Sequence, residues 1–165
     1  MSDRPKTPTN EGRLSIEFRE ADPLATPASD LIRDMVGEMA ALYGITGRIG
    51  VPFEPAELLR PDGVYLVGWV DAKAVAGGGV RRIGPGLGEF KRMYVRPDFR
   101  GRGLSALLLS ALEAAAVDLG LGTARLDTGP SQPAALHLYK SRGYRSIGNY
   151  NANPRAAFWG EKQLG

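Results

Sequence analysis

The stretch from Met93 to Ser105 (M-Y-V-R-P-D-F-R-G-R-G-L-S) carries the plainest chemistry in this chain of 165 residues. A strand-like run meets a proline turn. A helix then begins where Gly101 and Gly103 alternate with Arg100 and Arg102. Glycines leave backbone N–H groups unobstructed at a helix start, and the helix dipole adds partial positive charge there. With two guanidiniums beside it, such an end suits a phosphate or pyrophosphate. Lys91, Arg92 and Arg96 extend the basic stretch, which fits a small polyanion.

Other phosphate motifs do not match. No Gly-Lys-Ser/Thr occurs, so there is no Walker loop. Gly101-Arg102-Gly103 lacks the third glycine of a dinucleotide fingerprint, since residue 106 is Ala. Gly84-Pro85-Gly86-Leu87-Gly88 lies between strands and reads as a turn. Gly103-Leu104-Ser105 starts like a nucleophile elbow, but Leu107 stands where the second glycine belongs.

The elements that position this stretch follow from periodicity. Leu14, Ile16 and Phe18 alternate onto one face of a first strand. Thr26-Pro27 starts a helix whose apolar stripe runs from Leu31 to Tyr43, and Gly44 ends it. A loop follows over 45–52, then a short helix over 55–59. Strands over 64–70, 74–81 and 89–95 form an antiparallel meander. Gly77-Gly78-Gly79 predicts a bulge or a close backbone approach. A long apolar helix from Leu104 closes at Gly120, and a strand spans 123–128. Ser131 is set to cap a helix over 132–142, stopped by Gly143. Strands over 144–149 and 156–162 flank a turn at 151–154.

On the R-G-R-G-L-S run of Arg100–Ser105, the K-R-M-Y-V-R-P strand before it and the Q-P-A-A-L-H-L-Y-K-S-R-G-Y segment of Gln132–Tyr144, the chain resembles the GCN5-related N-acetyltransferases, the GNAT superfamily. Ser105 departs from the usual Gly or Ala. The resemblance implies one α/β domain over 13–165, with a mixed, mostly antiparallel seven-stranded sheet flanked by helices in the order β-α-α-β-β-β-α-β-α-β-β. The polar residues 1–12 read as a disordered leader.

The resemblance also implies roles. The backbones of Met93 and Val95 would pair with the pantetheine arm of acetyl-CoA, and the Met93 N–H would hold the thioester oxygen. Arg100, Gly101, Arg102, Gly103, Leu104 and Ser105 would wrap the pyrophosphate. Tyr139 would donate to the departing thiolate. Gln132, where the family often has Asn, would bond pantetheine. Glu89, opening its strand, would be the general base for the amine; alternation puts Glu89, Lys91, Met93 and Val95 on one face. The implied reaction is acetyl transfer to a primary amine of a small molecule or peptide, by direct attack in a ternary complex.

Composition narrows the alternatives. The absence of cysteine removes thiolate nucleophiles and thiolate metal sites. The single histidine, His137, rules out a multi-histidine metal site, and no metal is expected. The net charge of +3 includes no Lys/Arg tract that would suit nucleic acid, and no apolar run is long enough for a membrane span. The cytoplasm is the expected setting, and a homodimer is compatible with the resemblance. Two other readings remain: a non-catalytic acyl-CoA sensor, and a hydrolase using Ser105 with His137. Glu54 and Glu57 fall where an acceptor pocket would be shaped.

Overall fold

The computed structural model describes residues 14–46 and 53–165. The residues read as a leader, and most of the loop after Gly44, lie outside that range. The elements are β1 (Glu17–Ala21), α1 (Ala28–Tyr43), a 3₁₀ turn (Pro55–Leu58), β2 (Gly63–Val70), β3 (Lys73–Gly84), β4 (Leu87–Val95), a 3₁₀ turn (Pro97–Phe99), α2 (Leu104–Asp118), β5 (Thr123–Thr128), α3 (Pro133–Ser141), β6 (Arg145–Ser146) and β7 (Phe158–Gln163). The seven strands form one sheet in the order β1-β2-β3-β4-β5-β7-β6. Among the described strands, only β4 and β5 pair in parallel. Among the described residues, no helix is long and apolar enough to cross a membrane.

β2 is apolar along nearly its whole length because both of its faces are covered. Val64 and Leu66 pack with Val80, Phe90, Leu108 and Leu112 on the α2 side. Tyr65 and Val67 pack with Leu31, Leu58 and Tyr94 on the α1 side. α1 ends as its glycine predicts: Gly44 sits at φ 61°, and the Ile45 N–H bonds the Ala40 carbonyl at 2.9 Å.

Tyr65 is fully buried, and among the described residues its hydroxyl has no hydrogen-bond partner. It lies where a Cβ on Gly77 would stand, which explains the small residue there. An unsatisfied buried hydroxyl costs about 1–3 kcal/mol. Tyr65→Phe is therefore expected to raise Tm by roughly 2–4 °C for each kcal/mol recovered. A lower Tm in thermal unfolding would show that the hydroxyl contributes packing worth more than its desolvation.

Several elements differ from their sequence reading. β1 hydrogen-bonds over Glu17–Ala21, somewhat later than the Leu14–Phe18 alternation suggests. Leu14, Ile16 and Phe18 nonetheless all pack on the α2 side. β3 runs on to Gly84 and β4 starts at Leu87, so the glycine-rich turn shrinks to Pro85-Gly86, with Gly86 at φ 64°. Glu89 is thus inside a central strand rather than opening one, and it is 1% exposed.

The irregularity expected at Gly77–Gly79 is present, but the extra residue belongs to β4. Gly77 faces Tyr94 and Gly79 faces Lys91, so two β3 steps span three β4 steps. Arg92 takes up the slack at φ 59°. The bulge reverses the alternation: Glu89 and Lys91 stay on one face, while Met93 packs on the α2 side beside Gly78 and Leu112. Val95 also packs on that side, against Leu104. The expectation that all four share a face is corrected on this account.

α3 starts at Pro133 after Gln132, with no side-chain cap from Ser131. β6 shortens to two residues, because the segment after it spends its polar side chains on the site described next.

Candidate functional site

β4 and β5 are paired only from Leu87–Glu89 to Thr123–Arg125. Past that point β4 carries its bulge and the two strands part. The gap is a cavity of about 130 Å³. α1 contributes Met35 and Met39 to its wall, β4 contributes Lys91 to Met93, β5 contributes Asp127, and α3 contributes Tyr139. On its other edge β4 is bonded to β3, as in the Arg96 N–H to Val75 carbonyl bond of 2.8 Å. By strand alternation the backbone groups of Met93 and Val95 point the opposite way, toward the gap. The Val95 carbonyl already accepts from Arg100 Nε at 2.8 Å.

At the far end of β4, the 3₁₀ turn delivers the chain to Gly101 at φ 75° and Gly103 at φ 78°. Both are in the left-handed region, which explains the glycines, and no other group lies within 4 Å of where a Cβ would project. Leu104, 2% exposed, anchors the start of α2 in the core. Ser105 is exposed. The first N–H groups of α2 have no partner within the helix.

The two arginines of this loop differ. Arg100 bridges to Glu38 with bonds of 2.8 and 2.6 Å and stacks over Tyr94, so it braces β4 against α1. Arg102 is exposed, with its guanidinium 5.7 Å from the Phe99 ring centroid.

Tyr139 lines the cavity, and its hydroxyl donates to Met93 Sδ at 3.7 Å. Its ring packs edge-on to Tyr144 at 6.0 Å. Burial, helped by the negative charge of Asp127, pushes its pKa up to about 12. The phenol stays neutral and is a hydrogen-bond donor at any ordinary pH. Gln132 also lines the cavity. Its amide oxygen accepts from Thr128 Oγ1 and the Gly129 N–H at 3.2 Å each, and from Tyr43 Oη at 3.4 Å.

Glu89 is enclosed. Oε1 accepts from Arg81 at 2.8 and 3.1 Å and pairs with Lys91 at 3.3 Å; Oε2 accepts from Tyr150 at 2.5 Å and Asn151 at 3.3 Å. Burial alone would raise its pKa. The charge of Lys91, the Tyr150 bond and Arg81 together outweigh burial and hold the carboxyl below its ordinary range. Tyr150 is raised in turn, by burial and then by that same carboxylate.

Asn151 links Glu89 to a second carboxylate. Its Nδ2 donates to Asp127 Oδ2 at 2.6 Å, and Asn153 Nδ2 donates to the same oxygen at 3.1 Å. Asp127 Oδ1 takes part in neither bond, and Asp127, unlike Glu89, belongs to the cavity wall. Trp159 Nε1 fixes Asn151 by donating to its Oδ1 at 3.0 Å.

The structure therefore brings Met93, Gln132 and Tyr139 to one cavity and sets the 100–105 loop at the end of the strand that borders it. Glu57 is used by Arg81 at 3.0 Å. His137 and Ser105 are both exposed, on different helices. Sequence reasoning missed Asp127, Tyr150 and Asn151 as parts of one site, and named Arg92 only as a member of the basic stretch. Strand alternation could have flagged Asp127, because its neighbours Leu126 and Thr128 are the apolar or small, buried positions of β5. Nothing local marks Tyr150 or Asn151.

Comparison with known proteins agrees with this fold. Residues 36–144 match the profile of the acetyltransferase (GNAT) family. An IAA acetyltransferase of Azospirillum brasilense is 32% identical over 154 residues, covering 91% of this chain and 99% of that protein. An N-acetyltransferase of Schizosaccharomyces pombe is 41% identical over 71 residues, which are 43% of this chain and 44% of that one. An acyl-CoA N-acyltransferase structure from Klebsiella pneumoniae superposes with a TM-score of 0.76 at 28% identity, covering 91% of this chain and 98% of its own. The paiA N-acetyltransferase of Thermoplasma acidophilum, solved with coenzyme A, shares the fold at a TM-score of 0.65 and 18% identity, covering 92% of this chain and 100% of its own. On the profile match and the near full-length Azospirillum relative, the chain belongs to the acetyltransferase (GNAT) family and is an acyltransferase.

Proposed function

We propose that this acyltransferase moves an acetyl group from acetyl-CoA to a primary amine of a small molecule or peptide, by direct attack in a ternary complex. The observation that carries this reading is the gap where β4 leaves β5, with the buried Tyr139 hydroxyl in its wall. Met93 and Val95 present backbone groups along the gap for an extended pantetheine arm, and the Met93 N–H is the donor for the thioester oxygen. One such donor is worth about 10²–10³ in rate. The amides of Gly101–Ser105, with Arg102, take the pyrophosphate, while Arg100 braces the loop.

In this reaction the amine nitrogen bonds the thioester carbon, the C–S bond breaks, and the nitrogen loses a proton. An alkylammonium near pKa 10.4 needs a proton acceptor before it attacks. Glu89 is charged but fully engaged, so we place the acceptor at Asp127, the carboxylate of the same network that lines the cavity and takes its bonds from Asn151 and Asn153 on Oδ2; Glu89 holds Tyr150 and Asn151 in position behind it. A phenol near 12 does not fully protonate a thiolate whose acid is near 8.5, so Tyr139 helps by hydrogen bonding.

The test is thiol release from acetyl-CoA over a panel of primary amines, with IAA, the compound in the Azospirillum relative's name, run as a separate arm outside that class. With an active acceptor, Tyr139→Phe should lower kcat roughly 10–100-fold while CoA affinity stays within error. CoA binding with no thiol release from any acceptor would mean a sensor on this fold.

A further inference from the structure

Arg92 has the least compensated charge in the cavity wall. Its neighbours are both paired: Arg81 is held by Glu89 and Glu57, and Lys91 by Glu89. Among the described residues, no hydrogen bond or ion pair joins Arg92 to a carboxylate; its guanidinium lies 4.7 Å from the Phe53 ring centroid. Stacking of this kind covers a face of the guanidinium and leaves its N–H edge for a planar partner.

The backbone points to function as well. Arg92 is a non-glycine residue at φ 59° in the bulge of a central strand. Such a conformation is strained and persists where the surroundings enforce it, commonly at functional sites. Burial, with the charge of Arg81 adding to it, pulls the Arg92 guanidinium down from its ordinary value, against the opposing pull of Asp127. A half-buried cation of this kind favours an anion close by.

The rest of the wall defines what that anion belongs to. Met35, Met39, Phe90 and Leu126 are apolar. Among the described residues the one carboxylate in the lining is Asp127; Arg155, also in the lining, is exposed to solvent. The phosphate-type loop is at the opposite end of β4, beyond Val95, so Arg92 is separate from it in the strand.

We propose that the acceptor is an amino carboxylic acid, with its carboxylate paired to Arg92 and its amine directed to Asp127. This rests on the acetyl-transfer reading for the amine, but the anion site can be measured without turnover.

The probes are phenylacetate and its neutral isostere phenylacetamide, titrated into ¹⁵N-arginine-labelled protein saturated with CoA. Phenylacetate should shift the Arg92 Nε–H resonance, and phenylacetamide should bind roughly 10–100-fold more weakly, the worth of one charge-assisted contact. Arg92→Met should remove the difference between acid and amide. Arg92→Lys, which keeps the charge if the Met variant does not fold, should leave part of it.

Equal binding of acid and amide, no Arg92-dependent binding of either, or phenylacetate binding to Arg92 in the CoA-free protein that is lost in the CoA-saturated protein would each overturn the proposal, the last by assigning the cation to the cofactor. In the acceptor panel, amino acids should exceed their amides in kcat/KM by a similar factor through KM. Thiol release without that preference would sink the carboxylate and leave acetyl transfer standing. Phenylacetate binding without thiol release from any acceptor would do the reverse.

Discussion

Gly103→Glu is expected to abolish CoA binding in calorimetry while the protein remains folded. Gly103 sits at φ 78° immediately before α2, and the space beyond its Cα is open. A glutamate there fills that space and sets a negative charge among the amides proposed to take the pyrophosphate. Losing two charge-assisted backbone bonds, at about 1.5–3 kcal/mol each, weakens affinity by roughly 100-fold or more. A side chain in left-handed backbone also costs about 1–2 kcal/mol of stability, so Tm should fall by a few degrees. Gly103→Asn separates the two effects: asparagine tolerates this backbone and adds no charge, so binding should survive in part. The arginines should divide in the same assay. Arg102→Ala should reduce the salt dependence of CoA binding, since its charge is exposed and screened over about 8 Å at physiological ionic strength. Arg100→Ala should instead loosen the contact between α1 and β4 that its bonds to Glu38 and Val95 make. Near-native CoA affinity in Gly103→Glu would remove the loop from the cofactor site.

Glu89→Gln should be among the most destabilising single changes in the described chain. It strips the counter-charge from Arg81 and Lys91 inside the sheet. Removing one partner of a buried ion pair typically costs about 3–5 kcal/mol. Arg81 keeps Glu57, so the lower end applies, and Tm should drop by roughly 6–12 °C. The pH dependence has a definite sign. The folded carboxyl titrates below its unfolded value, near 4.3, so its stabilisation is complete above that value. It is lost as pH falls through the depressed folded value. Denaturant titrations of wild type and Glu89→Gln should therefore show a constant stability gap at neutral pH that closes in acid. A gap unchanged across the acid range would mean that Glu89 is not ionised in the fold. Activity separates position from proton transfer: in folded protein at neutral pH, Asp127→Asn should lower kcat/KM for the amine by roughly 100-fold or more, whereas Glu89→Gln should lower it less. The opposite result would return the base to Glu89.

Local pattern was enough for much of this molecule. The helix stripes and their terminal glycines, the meander, the glycine-spaced start of α2 and the position of Tyr139 are all set by residues within a few places of one another. Such signals are readable because periodicity, caps and positive-φ requirements act over single turns. They determine an α/β acyltransferase fold and the end of the sheet where a polyanion would sit. Tertiary structure alone decided the polar chemistry of the cavity. The bulge at Arg92 depends on how Gly77–Gly79 meets β4, and it moved Met93 and Val95 to the face opposite Glu89. Tightening of the Pro85-Gly86 turn carried Glu89 into the core, and a segment some sixty residues away, with Tyr150 and Asn151, closed over it. Asp127 became the cavity carboxylate because β5 parts from β4 after Arg125. Each of these outcomes rests on which strands are neighbours and where their pairing stops. That is a property of long-range packing, and no local spacing of residues encodes it.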